Sequence, residues 1–339
     1  MERLKKLLMY SLILSISILI LISVFTVDPE TVPILLSIRP GFLLAAILLH
    51  IGSFFIWGLR MKVMAGALGY RIGIIKATEA VVSNLFAASV TPSMAGGEPV
   101  RIHQLNQNAQ MPIGDATGVV IGERVLDALF LLIATPFSLW ILRGSLLSWE
   151  MDMFIVVAEI FVLLLVIVAF AGLLNPVFID KLSSLLTRGL HKIGHFDKTE
   201  HIIEFINLEL WNFHNSLWTF LKSGKKGLFY GSFCTLVYWL MEFMILPLIL
   251  LGLNQPPSIL VAFALQLFLT FLMVLPITPG ASGIAELGGA ALFGVIVPAS
   301  ILGIVVVAWR MITYYLNLII GGLTSIKILK NSSLFKDIK

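Results

Sequence analysis

Charge is what this chain has least of. Only 12% of its 339 residues are Asp, Glu, Lys or Arg, 58% are hydrophobic, and the mean hydropathy is +0.99. Soluble domains carry about 25% charged residues, so this composition excludes a soluble globular domain and implies a polytopic membrane protein. Cysteine is nearly missing too. Cys234 is alone, so no intramolecular disulfide is possible and the compartment cannot be read from thiols. The formal charge of +4 does not point to a nucleic-acid partner, because in a membrane chain the placement of Lys and Arg matters more than their sum. There is no Ser/His/Asp set, metal-ligand cluster or nucleotide-binding loop, so no enzymatic activity, metal or cofactor is expected. His191, His195 and His201 sit in a polar stretch without an accompanying Cys, which argues against a metal site there.

What the chain does have is long apolar runs. Arg3, Lys5 and Lys6 precede Leu7 to Val27, which is longer than a signal h-region and lacks a small-x-small cleavage site after it; it reads as an uncleaved first span. Further spans read as Gly41 to Met61, Ile113 to Leu142, Met151 to Leu174, Leu228 to Leu251 and Ser300 to Leu329. Residues 175–227 form the one long polar region. Its apolar residues fall near helical spacing in two stretches, which predicts two helices on the membrane surface.

Two stretches interrupt the pattern. Thr91-Pro92-Ser93-Met94-Ala95-Gly96-Gly97-Glu98-Pro99-Val100-Arg101 and Thr278-Pro279-Gly280-Ala281-Ser282-Gly283-Ile284-Ala285-Glu286 both read Thr-Pro, a Gly at the fifth residue after the Thr, then Glu. Proline breaks helix and glycine permits backbone angles that other residues avoid. Arg124 follows the first Thr and Arg310 the second at nearly equal distance. The expected fold is therefore an all-α polytopic membrane domain of two inverted repeats, residues 1–143 and 144–339. Each repeat has three transmembrane helices and a broken, re-entrant helical hairpin. With that topology most of the 23 Lys and Arg fall on the side of the termini, the loop from Arg60 to Lys76 and the linker 175–227. The positive-inside rule makes that side cytoplasmic, with the loop near Arg143 outside. Inverted repeats with broken helices are a transporter architecture, with the substrate at the repeat interface.

Charges within or beside the spans are costly unless paired or functional. One reading pairs Glu123 or Asp127 with Arg124 and Glu286 with Arg310, pinning helix to hairpin. The other has Arg124 and Arg310 receive an anion through their planar forks. Backbone N–H groups at Gly96-Gly97 and Gly280 to Gly283 then add donors. Glu159 and Glu242 stand isolated and read as cavity or helix-contact residues, with a proton carrier as the alternative, and His50 reads as an interhelical hydrogen-bonding or wet-cavity residue. The two hairpin tips, Thr91 to Glu98 and Thr278 to Glu286, are expected to meet and form a gate.

The three ordered motifs, Thr91 to Arg101 after Asn84, Glu123-Arg124-Val125-Leu126-Asp127, and Pro276 to Glu286, resemble the lysylphosphatidylglycerol synthase transmembrane-region family, also called flippase-like, over nearly the whole chain. The resemblance implies a cell-membrane protein that moves lipids across the bilayer. The sequence runs only a short way past its last span, so no soluble synthase domain is expected. The substrate implied is an anionic phospholipid or a polyprenyl-phosphate-linked lipid. The alternative is a scaffold or accessory subunit for a glycosyltransferase or lipid synthase partner. The residues expected to bind or gate substrate are Thr91, Pro92, Gly96, Gly97, Glu98, Arg101, Glu123, Arg124, Asp127, Thr278, Pro279, Gly280, Gly283, Glu286 and Arg310.

Overall fold

A computed structural model describes residues 2–26, 28–29, 31–91, 96–142, 160, 175–181, 184–185, 199–222, 224–274, 278 and 280–331. The expected span Met151 to Leu174 with Glu159, the loop at Arg143, His191 and His195, Pro92, Pro279 and the tail beyond Asn331 lie outside these residues.

The helices in chain order are α1 (Glu2–Thr26), α2 (Thr31–Leu36), α3 (Pro40–Ala67), α4 (Ile74–Ser89), α5 (Gly97–Ala109), α6 (Ile113–Leu142), α7 (Thr199–Lys222), α8 (Lys225–Gly252), α9 (Ile259–Val274), α10 (Ile284–Phe293), α11 (Ala299–Arg310) and α12 (Leu316–Asn331). A π-helical turn, Met311–Tyr315, joins the last two. Among the described residues five helical segments are long and apolar enough to cross a membrane: Met9–Thr26, Pro40–Ala67, Ile113–Leu142, Lys225–Gly252 and Ala299–Lys330. Each matches one of the expected spans. The helix α3 runs a turn and a half beyond its expected end, however, and this has a consequence for Arg60 described below.

Both Thr-Pro interruptions separate short helices. The 16 residues of α4 and of α9 rise only about 24 Å at 1.5 Å per residue. That is less than the roughly 30 Å hydrocarbon core, and α5 and α10 are shorter still. Each pair packs on itself, α4 on α5 and α9 on α10. Among the described residues each interruption is thus flanked by two short helices packed on each other, as a broken hairpin would have them.

The most extensive helix contact joins α3 and α8, which run antiparallel. The Arg39 N–H at the start of α3 donates to the Gly252 carbonyl at the end of α8, 2.8 Å away. At the other end a Cβ on Gly227 would stand 2.4 Å from the Ala67 Cβ. Buried apolar residues form one core around Leu246, Leu265, Phe293 and Ile301, and a second around Met61, Met64, Val81 and Val119. A small cluster of Leu131, Phe243 and Leu267 makes a third.

Of the two expected surface helices, the second is α7. It packs along α6, with Ser216 Oγ hydrogen-bonded to Asp115 and a Glu209 carboxylate oxygen accepting the Gly114 N–H. Tyr70, in the loop after α3, donates to the same Asp115 at 2.6 Å. Burial and that carboxylate push its hydroxyl up to about 12, so it remains a donor at any physiological pH. Of the first expected helix, residues 176–181 are helical, with Val177 and Phe178 exposed.

Candidate functional site: a cavity between the two broken hairpins

Adjacent residues on a helix point about 100° apart, and α6 uses this at Glu123 and Arg124. Glu123 is fully buried and accepts from two arginines on other helices, Arg60 Nε at 3.1 Å and Arg101 Nη1. Arg124 turns the other way. Its Nε donates to Glu98 at 2.6 Å and its Nη1 to Asp127, one turn on, at 3.1 Å. Asp127 takes Arg60 on both oxygens at 2.6 and 3.3 Å, and Trp239 Nε1 at 3.1 Å. Glu98, in the first turn of α5, also accepts from Arg101. Three guanidiniums and three carboxylates thus close into one network. All three guanidinium carbons lie 5.1–5.5 Å from the Trp57 ring centroid, where the negative ring face attracts cations.

The pairing of Arg124 with Asp127 follows the sequence reading, whereas Glu123 serves Arg60 and Arg101 instead. The place given to Arg60 in the basic loop is corrected. Because α3 continues to Ala67, Arg60 is two turns inside the helix and fully buried. Its charge therefore does not belong to the basic loop.

The second half has a smaller arrangement. Arg310 Nε donates to Glu286 at 2.8 Å, as expected, and the guanidinium lies 4.1 Å from the Tyr314 ring centroid. Glu286 closes back on its own helix start by accepting the Gly283 N–H at 2.6 Å, and it also accepts from Ser15 of α1. Arg310 Nη2 is buried and has no hydrogen-bond partner, and the same holds for Trp57 Nε1 and Asn84 Oδ1. Buried polar atoms are normally satisfied; these three belong to residues that line one space, while Arg101 Nε, Thr278 Oγ1 and Ser282 Oγ are unpartnered away from it.

That space is a cavity of about 550 Å³. Members of all three apolar clusters border it: Trp57, Trp309, and Leu131 with Phe243. Of the expected site residues, Glu98, Arg124, Asp127, Gly280 and Arg310 line it. Arg124 is the open cation, with its side chain 39% exposed. Thr91, Gly96, Gly97, Arg101, Glu123, Thr278, Gly283 and Glu286 stand behind this lining, holding the residues that do reach it or the hairpin tips. The two tips touch. The Gly280 N–H donates to the Thr91 carbonyl at 3.3 Å, and Tyr314 Oη lies 3.3 Å from the Ser89 carbonyl.

Glycine is required at this contact and again where α5 starts against α4. Gly280 has φ +59°, and a Cβ there would come 2.4 Å from the Ser89 carbonyl oxygen; one on Gly97 would come 2.4 Å from Asn84 Oδ1. His50 joins α3 to α8 and α12 through Glu242 at 2.9 Å and Asn317 at 3.0 Å. It is the interhelical residue expected, and both His50 and Glu242 line the cavity.

Sequence reasoning missed the aromatic wall of Trp57, Tyr238, Trp239 and Trp309. In an apolar span such residues carry no signal of their own. The spacing of Trp57 and Arg60, one helical turn apart within a run otherwise free of charge, was the one clue.

Comparison with known proteins places the chain among membrane proteins. The chain is 32% identical over 321 residues to a UPF0104 membrane protein of Archaeoglobus fulgidus, covering 93% of this chain and 95% of that one. It is 26% identical over 320 residues to a UPF0104 membrane protein of Methanocaldococcus jannaschii, covering 91% of each. Residues 9–321 match the family described as the lysylphosphatidylglycerol synthase TM region, and the chain belongs to that family.

Proposed function

We propose that this membrane protein moves an anionic lipid across the bilayer, with the lipid's phosphate received by Arg124 and Arg310 and with the two hairpin tips as the gate. We read residues 1–143 and 144–339 as inverted repeats that present these arginines to one cavity from opposite halves. The observation that carries the proposal is the shared cavity. Its open guanidinium, Arg124, belongs to the first half, and the orphaned Nη2 of Arg310 belongs to the second. A phosphate supplies the acceptor that Arg310 lacks, and arginine offers phosphate a planar, bidentate fork. The aromatic and aliphatic walls suit the glycerol and upper acyl segments of a lipid.

The test is transport by the purified chain in liposomes, followed with a fluorescent phosphatidylglycerol and an impermeant quencher. Arg124→Lys and Arg310→Lys keep the charge for pairing with Glu98, Asp127 and Glu286 but lose the fork. Both are expected to insert normally and to move the lipid about tenfold more slowly, the size of one charge-assisted hydrogen bond. Wild-type rates in the inserted Lys variants would refute the phosphate site. No transport by the wild-type chain would favour a scaffold.

A further inference from the structure

The charged side chains that line the cavity, or reach it through ion pairs, do not balance. Among the described residues each of the four arginines is matched by one of the four carboxylates already placed. Glu242 is the fifth carboxylate, and its basic partner is His50.

The hydrogen bonds around His50 fix where protons sit. Asn317 Nδ2 donates to the Thr313 carbonyl at 2.6 Å, so its Oδ1 is the atom facing His50 Nε2 at 3.0 Å. The Nε2 nitrogen must therefore carry a hydrogen. On the other edge, Nδ1 faces a Glu242 oxygen at 2.9 Å, and a bare nitrogen against a bare carboxylate repels. Ser53 Oγ lies 2.6 Å from the same oxygen and 2.7 Å from the His50 carbonyl. One hydroxyl hydrogen serves only one of those two acceptors. The arrangement thus holds one more proton than a neutral imidazole and an ionised carboxylate carry between them. With that proton the whole buried set is neutral; without it the set is one negative charge in excess.

We propose, resting on the anion-binding reading above, that His50 and Glu242 form a proton-binding site linked to the cavity, whose proton a bound anionic lipid helps to hold and whose loss favours the lipid's release. The proton comes from water and sits between Nδ1 and the carboxylate, taking the pair from −1 to neutral. An anion then enters a neutral cavity. Losing the proton sets a second negative charge beside it and favours release. Linkage makes the effect reciprocal, so proton and anion each tighten the other's binding.

Other titratable groups line the same cavity. From α8 comes Tyr238, from α6 Arg124 and Asp127, from α5 Glu98, from α11 Arg310 and from the π turn Tyr314. The cavity faces of α4, α9 and α12 bring Asn84, Gln266 and Asn317 but no charge. The ion pairs commit the arginines to Glu98, Asp127 and Glu286, which leaves the His50–Glu242 pair to titrate.

The experiment places the full chain in nanodiscs of neutral lipid and titrates dioctanoylphosphatidylglycerol from pH 5 to 9, following Trp57, Trp239 and Trp309 fluorescence. A phosphodiester keeps one charge throughout this range, so the probe adds no titration of its own; uncharged dioctanoylglycerol is the control. The Kd is expected to rise by up to about tenfold per pH unit through the range where the pair releases its proton, with proton uptake on binding detected in weak buffer. Glu242→Gln and His50→Gln should each flatten this slope and abolish the uptake. A pH-independent Kd in the wild-type chain, or an unchanged slope in both variants, overturns the proton site while leaving the anion site standing. No binding of the anionic probe at any pH overturns the anion site and the coupling with it.

Discussion

At the residue scale the most demanding group is Glu123. It is fully buried and is shared by two fully buried arginines on different helices. Removing one partner of a buried ion pair leaves a charge in low dielectric with nothing to offset it, a cost of about 3–5 kcal/mol. Glu123→Ala is therefore expected to lower the midpoint of fluorescence-detected thermal unfolding clearly. Glu98→Ala should do less, because the Glu98 side chain is 28% exposed and water screens what remains. Equal midpoints for wild type and Glu123→Ala would show that Arg60 and Arg101 find other partners. The six-residue network was half legible in the sequence. Glu98–Arg101 and Arg124–Asp127 are i,i+3 pairs that helical geometry brings together by itself. Arg60 was not legible, since its burial depends on how far α3 continues past it.

At the scale of elements, the two hairpin tips lean on each other through backbone, which leaves no room for a side chain. Gly280→Ala places a Cβ 2.4 Å from the Ser89 carbonyl oxygen and 2.7 Å from Tyr314 Cε2, at a positive φ. The expected result is a chain that still inserts, since the five long spans are untouched. Its tips should be separated, giving transport at least tenfold below wild type and slower cross-linking between cysteines placed at Thr91 and Thr278. Unchanged cross-linking and transport would mean that the contact is not the gate. The π turn after Arg310 belongs to the same machinery. Its extra residue per turn lets Thr313 and Tyr314 line the cavity beside Arg310, a use typical of π segments at functional positions.

At the scale of the molecule, three apolar clusters border one cavity whose few polar and charged groups sit among aromatic and aliphatic walls. The basic residues predict that the α7–α8 junction is cytoplasmic and that the loop near Arg143 is external. Single cysteines at Lys225 and at Arg143, in a Cys234→Ser background, test this with an impermeant thiol reagent on intact cells. Arg143 is expected to label from outside and Lys225 only after permeabilisation. The reverse pattern would invert the topology and dissolve the inverted-repeat reading.

Membrane class, the positions of the five described spans and the two helix breaks were determined by the sequence alone. They depend on the length of apolar runs and on residues that interrupt a helix, and both are local properties of the chain. Which charge meets which was decided by tertiary structure. Arg101 and Glu123 are 22 residues apart, Arg60 and Asp127 are 67 apart, and His50 and Glu242 are 192 apart. No local rule selects among several arginines and carboxylates in the same bilayer. Helix packing does, because it sets which faces lie within hydrogen-bonding reach. The cavity has the same origin, since it is a space between helices and no single helix encodes it.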